Sequence, residues 1–172
     1  MNPSRATTLE QLPGRLPHGP DMLLVDRVES LSAGRSLVAV HTVRIGEPCF
    51  AEIAGGRATA AYPPVLVLES IGQAAALLWI ASTALGADLI PMLAVVRGFR
   101  MLRQVKAGDT LRHRVNLQHC GPASAMVSTT SEVRGTVVAE ADSLLAVGRT
   151  PTELPALPRD LTGATTTKEI RS

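Results

Sequence analysis

One stretch of the chain restricts what the rest can be. Residues Pro63-Pro64-Val65-Leu66-Val67-Leu68-Glu69-Ser70-Ile71-Gly72-Gln73-Ala74-Ala75-Ala76-Leu77-Leu78-Trp79 hold a single charge, Glu69, and no other charged residue falls between Arg57 and Asp88. Proline is tolerated in the first turn of a helix, where its missing N–H has no intrahelical partner to lose. The run therefore predicts a helix opened by proline. Apolar residues lie on every face of it, so the helix is expected to be buried rather than amphipathic, and the domain must wrap around it. An unpaired carboxylate in such surroundings is costly to keep ionised. Glu69 is then either satisfied by a backbone or side-chain partner or placed there for chemistry, and the second reading is preferred because perturbed carboxylates concentrate at functional sites. Gln73, four residues on, projects from the same face.

The run also approaches membrane-spanning length. Glu69, Gln73, Gly72 and Gly86, together with the absence of a basic flank, favour a helix enclosed by a soluble fold. At 172 residues the chain is long enough for one domain with a real core. A net charge of +2 and an aromatic content of 2% offer neither an electrostatic footprint nor stacking platforms for nucleic acid. Cys49 and Cys120 are the only cysteines, and no metal-ligand spacing surrounds either, so no metal is expected. The N-terminus lacks an apolar signal-peptide core, from which cytoplasmic residence is expected.

Residues 1–15 read as an irregular arm, 16–148 as the domain and 149–172 as a disordered tail. Met22–Val28 and Ser36–Val43 carry strand patterns, the second alternating and β-branched. Ala54–Ala61 is a loop of small residues leading into the helix. Met92–Met101, Thr110–His119, Ala125–Arg134 and Val137–Val147 each read as strands. Lys106–Asp109, Cys120–Ala123 and Arg134–Gly135 supply the turns. Strands, one buried helix, then antiparallel strands make an α+β layout in which a curved sheet wraps the helix. Its open edges call for pairing, so a dimer is expected.

Several pieces together resemble a family. Leu16-Pro17-His18 followed by Met22–Val28 is similar to the opening of the FabZ-type 3-hydroxyacyl-acyl-carrier-protein dehydratases. Glu47–Phe50 resembles the segment before that family's active-site loop, Val65–Gln73 its central-helix motif, and Val105–Asp109 the turn that follows. The resemblance runs from about Leu16 to Val147 and implies a hotdog fold, an antiparallel sheet around one long central helix, usually built as a dimer. It implies a substrate carried on the phosphopantetheine of an acyl carrier protein, and no cofactor of the protein's own. A loop histidine of one subunit takes the proton next to the thioester carbonyl, and the helix carboxyl group of the other protonates the departing hydroxyl. A helix-terminal N–H polarises the carbonyl. The resemblance makes Glu69 the catalytic residue, with Gln73, Tyr62, Pro64 and Ile53 at the substrate and Leu66 and Trp79 as candidate tunnel residues.

The chain departs from that pattern in two places. Ile53 falls where the histidine belongs, and no histidine occurs between His41 and His113. Pro64 replaces the glycine at the helix start and has no N–H to offer. Two residues are also inserted around Ala58–Ala61. Glu52, beside Ile53, reads as a solvated loop residue. The preferred expectation is a dehydratase subunit, inactive as a homodimer, that supplies Glu69 to a composite site shared with a histidine-bearing partner in fatty-acid or polyketide synthesis. Two alternatives remain: a non-catalytic degenerate dehydratase that binds acyl chains or stabilises a partner, and a hotdog thioesterase in which Glu69 directs water.

Arg97, Arg100, Arg103 and Lys106 form a basic cluster that suits docking of an acidic carrier protein. His18 reads as a structural or loop residue, and His41, His113 and His119 as surface or satisfied strand histidines. Ser70 lacks a nucleophile-elbow setting. Cys49 reads as a small packing residue.

Overall fold

The computed structural model describes residues 9–11, 13–51, 60–83, 89–150 and 152. Strands β1 (Arg27–Ser32) and β2 (Ser36–Thr42) precede helix α1 (Pro64–Ser82). After it come β3 (Ile90–Arg97), β4 (Arg100–Met101), β5 (Thr110–Cys120), β6 (Ser124–Val133) and β7 (Thr136–Arg149). All pair antiparallel in one sheet of order β1-β2-β5-β6-β7-β3, with the short β4 also on β7. The sheet curls around α1, which packs on β2, β3, β5, β6 and β7. This is the hotdog arrangement.

Period-two burial shows why the strands wrap the helix. On β6, Ala125, Val127, Thr129 and Ser131 are buried and the residues between them are not, so one face meets the helix. On β5, Leu111, His113 and Val115 do the same. Arg134 and Gly135 join β6 to β7 with φ of 51° and 78°, the left-handed pair that a two-residue hairpin needs. The core is centred on Val67, Ile71, Ala74, Leu77 and Leu78 of α1, packed with Leu37, Leu111, Val115 and Leu144.

Three expectations are corrected. The helix is buried from Gln73 to Ile80 but not throughout: Val65 is 65% exposed, and Leu66, Leu68, Glu69 and Gly72 are only half-buried. The first turn thus projects from the sheet's embrace. The helix is long and apolar enough to cross a membrane, yet 61% of its most apolar window is buried inside this fold. The first strand starts at Arg27 rather than Met22. Met22 closes a 3₁₀ turn, and Leu24 gives its amide to a side chain of α1 rather than to a strand. Finally, the arm is not wholly irregular, since Leu9–Gln11 and Pro13–Arg15 form 3₁₀ turns, and it runs on past residue 15 through a third turn, Pro20–Met22, to the start of β1. The tail from residue 153 on, and most of the loop before α1, lie outside the described residues.

A buried polar chain ties the arm, the helix and the sheet together. Ser70 donates its hydroxyl to the Leu24 carbonyl at 2.5 Å and lies 2.8 Å from His113 Nε2. With its hydrogen committed to Leu24, Ser70 can only accept from His113, which places the ring hydrogen on Nε2. Nδ1 then accepts from the Ser131 hydroxyl at 2.7 Å. Burial, with His41 nearby, pulls the imidazole down to about 3. Below the ordinary value of 6.5, the unfolded chain therefore takes up a proton that the folded chain refuses. Stability is full above about pH 6.5 and drains away towards pH 3, by up to about 1.4 kcal/mol per pH unit from this group. Urea unfolding of the native protein between pH 7 and 5 is expected to show this slope, and His113→Gln is expected to flatten it whatever its effect at neutral pH.

Candidate active site

Gln73 organises the site. Its amide oxygen accepts the Leu24 N–H at 2.8 Å, and its amide nitrogen donates to the Met22 carbonyl at 2.7 Å. Because Leu24 N–H can only donate and Met22 C=O can only accept, the orientation of the Gln73 amide is fixed. Its remaining hydrogen goes to Glu69 Oε1 at 3.0 Å, one helical turn back. The arm held by these bonds carries His18 to the same oxygen, with Nε2 at 3.2 Å. The Glu69 side chain is 35% exposed and that of His18 27%, so the pair lies at an accessible surface.

Glu69 and His18 stand on the wall of a cavity of about 370 Å³ between α1, β3, β6 and β7. Gly72, Ala75 and Ala76 on the helix and Ala125 and Ala146 on the sheet keep it open by their small size. Val127, Leu144 and Ile90–Leu93 complete the apolar lining, and His18, Glu69 and Gln73 are the polar side chains on it. A slot of this kind suits an aliphatic chain with a reactive polar group at the carboxyl.

The other residues singled out in the sequence fall elsewhere or in part beside it. The unpaired, buried Glu69 expected above is corrected: it has two partners and is partly exposed. His18, read as structural, is one of them. No local signal could have found this contact, because it joins positions 51 residues apart. Tyr62 does not line the cavity. It is buried against His41, 3.3 Å from its Nε2, and against Phe50. Burial and then Glu47 push its hydroxyl well above the phenol range. His41 sits 3.4 Å from Glu47 and 3.8 Å from Asp26. Burial alone would raise the Asp26 carboxyl, but His41, the Thr42 N–H and Arg44 outweigh it and hold the group well below the carboxylate range.

Pro64 is the first residue of α1, exposed and outside the cavity lining. The Leu66 and Val67 amides both turn to the Pro63 carbonyl, so the first turn offers no donor at the proline itself. Leu66 does not line the cavity either. Trp79 is fully buried, donates to the Gly121 carbonyl at 2.9 Å, and packs behind Ala125 and Ala146. It backs the cavity wall without lining it. Ile53 and Glu52 lie outside the described residues. Arg97, Arg103 and Lys106 are exposed, whereas Arg100 is bound to Glu140 and Asp142, each at 3.0 Å. Arg100 is therefore corrected to a cation already neutralised within the sheet surface. Ser70, with its proton on Leu24, is no nucleophile. Cys49 and Cys120 are free and half-buried, and no cluster of metal-ligating side chains occurs among the described residues.

An acidic helix residue over an apolar slot, in a sheet wrapped round that helix, defines a hotdog protein built to handle acyl groups. Residues 16–142 match the FabA-like domain family, and the chain belongs to that family. Its relatives include two bacterial proteins named 3-hydroxyacyl-[acyl-carrier-protein] dehydratase FabZ. That of Herpetosiphon aurantiacus is 32% identical over 140 residues, covering 81% of this chain and 97% of the relative. That of Anaeromyxobacter dehalogenans is 40% identical over 131 residues, covering 74% and 81%. Among solved structures, the dehydratase heterocomplex ApeI:P from Xenorhabdus doucetiae shares the fold with a TM-score of 0.65 at 20% identity, covering 83% of this chain and 93% of that one.

The Gln73 clamp makes a stability prediction. Gln73→Leu leaves the buried Leu24 N–H unpaired, at about 1–3 kcal/mol, and also releases the Met22 carbonyl. The variant is expected to unfold at markedly lower urea concentration, and limited proteolysis is expected to cut first between residues 16 and 24.

Proposed function

We propose that this chain is a 3-hydroxyacyl-acyl-carrier-protein dehydratase subunit in which Glu69 is the general acid of a site completed by a histidine from a second, FabZ-like chain. The observation that carries the reading is the position of Glu69, the one carboxyl group on the wall of a mostly apolar cavity, in a chain of this family. The substrate class is taken from the relatives' names. In the reaction a base removes the proton on C2, and that electron pair forms the C2=C3 double bond. The C3–O bond breaks, and the proton of Glu69 leaves with the hydroxyl as water. Two groups with opposite tasks need separate surroundings, and the mostly apolar wall around Glu69 supplies them for the acid.

His18 does not fill the place of the missing base. The base and the acid act on different atoms of the substrate and must stand apart with the substrate between them, whereas His18 touches Glu69 directly. The loop position holds Ile53. A second chain is the natural source, and the sheet offers it a seat. β3 is an open edge with Met92, Leu93, Val95 and Val96 each 36–40% exposed. Both edge strands carry a register shift, but the opposite edge, β1, also carries the charged Arg27–Glu29 pair, a device that discourages pairing. Ile90–Leu93 also form one wall of the cavity, so a chain laid on this edge comes to lie over the site. The ApeI:P assembly is a precedent for a two-chain dehydratase within this fold.

Turnover of 3-hydroxybutyryl carrier protein, followed by enoyl absorbance, tests the proposal. Activity is expected from the chain purified with a co-encoded FabZ-like protein and not from the chain alone. Glu69→Gln in the mixed assembly is expected to lower kcat by about 10²- to 10⁴-fold. Full activity of the chain alone removes the partner from the scheme. Unchanged turnover in Glu69→Gln makes the chain a non-catalytic subunit, and release of free thiol makes it a thioesterase.

Exposed Arg97, Arg103 and Lys106 are proposed to steer the acidic carrier protein, with Arg100 engaged elsewhere. Reversing the three to Glu is expected to raise KM for the carrier-bound substrate, most at low salt. The KM for the same acyl group on a small pantetheine thioester is expected to stay unchanged.

A further inference from the structure

We infer that His18 is a positioning residue for Glu69: together with Gln73 it decides which carboxyl oxygen carries the transferable proton. The inference rests on the dehydratase reading above. Gln73 is a donor to Glu69 Oε1 in every protonation state of the carboxyl group, because its orientation is set by Leu24 and Met22. His18 Nε2 lies against the same oxygen. An sp² oxygen has two lone pairs in its plane. With the Gln73 N–H on one and His18 Nε2 at 3.2 Å to supply the other, Oε1 has no room for a proton of its own. The acid proton is thereby confined to Oε2, which has no partner among the described residues.

The same geometry assigns the ring. To donate to Oε1, His18 carries its hydrogen on Nε2, leaving Nδ1 bare. Nδ1 is shielded from solvent and has no hydrogen-bond partner, so no other contact fixes the ring the opposite way round.

The arrangement does more than choose an oxygen. As Oε2 gives its proton to the C3 hydroxyl, the electron pair of the O–H bond stays on the carboxyl group and its charge spreads to Oε1. The Gln73 N–H already points there, and His18 Nε2 is 3.2 Å away. A hydrogen bond to a carboxylate is roughly twice as strong as one to a neutral carbonyl, so both strengthen as the proton leaves. This is stabilisation realised in the transition state and not in the bound substrate, and it is felt in kcat rather than KM. His18 touches neither substrate nor reacting proton in this scheme.

Two measurements test it. In the ¹⁵N long-range spectrum of the intact protein, His18 is expected as the Nε2–H tautomer. A ring with its hydrogen on Nδ1 overturns the inference. In the assembly with the histidine-bearing partner, acting on 3-hydroxybutyryl carrier protein, His18→Ala is expected to lower kcat about 10- to 100-fold, the scale of a misplaced catalytic group, with KM within about twofold. His18→Gln, whose amide nitrogen reaches the position of Nε2, is expected to recover most of that loss. A wild-type kcat in His18→Ala overturns the positioning role. A His18→Gln variant as slow as His18→Ala also overturns it, since the imidazole itself then takes part. If the wild-type assembly turns over no 3-hydroxyacyl substrate, the dehydratase reading fails, and the tautomer by itself decides the hydrogen-bond assignment.

Discussion

Three hydrogen bonds from one buried amide hold the architecture of this site together. The Gln73 side chain takes the N–H of Leu24, gives to the carbonyl of Met22 and gives again to Glu69. A segment approaching a helix from outside a sheet must find partners for its backbone groups, since burying them unpaired is expensive. Here the helix supplies them from two adjacent turns, Ser70 to the Leu24 carbonyl and Gln73 to the Leu24 N–H and the Met22 carbonyl before it. The arm therefore lies along α1 where a strand would otherwise begin, and its upstream turn delivers His18 to Glu69. The start of β1 and the composition of the site share this one cause.

The same helix does two jobs at its two ends. From Gln73 to Ile80 it is a core element, with Leu77, Leu78 and Trp79 inaccessible to solvent. Over its first turns it stands out from the sheet and carries the carboxyl group. The transition falls at Gly72, Ala75 and Ala76, whose small side chains leave the cavity open towards β3. A core stripe of leucines there would have closed it. Function in this fold depends on under-filling one sector of an otherwise tightly packed helix–sheet contact.

In the proposed reaction, proton donation and proton removal are divided between chains. What this chain contributes in that scheme is the acid, with Gln73 donating to one of its oxygens and His18 beside the same oxygen. The helix start contributes less than a glycine would, because Pro64 has no N–H and the next amides but one turn inward to Pro63.

Much of the fold was legible from the chain alone. Period-two burial and turn residues place β2 and β5–β7 to within a few residues, because tight turns link β1 to β2 and β5 to β6 to β7 and alternation marks each strand's inward face. The buried helix and its lone carboxylate are equally plain, since an apolar run with one charge has few alternatives. What the sequence could not determine are the contacts that close over long separations: His18 on Glu69, Leu24 on Gln73, His113 between Ser70 and Ser131. Nor could it tell that Tyr62 turns to His41 and that Trp79 stands behind the cavity wall. Hydrophobic periodicity is a property of neighbours along the chain and so encodes elements and faces. Which polar group meets which is set by how the curled sheet and the arm converge on α1, and that is decided only when the whole domain is closed.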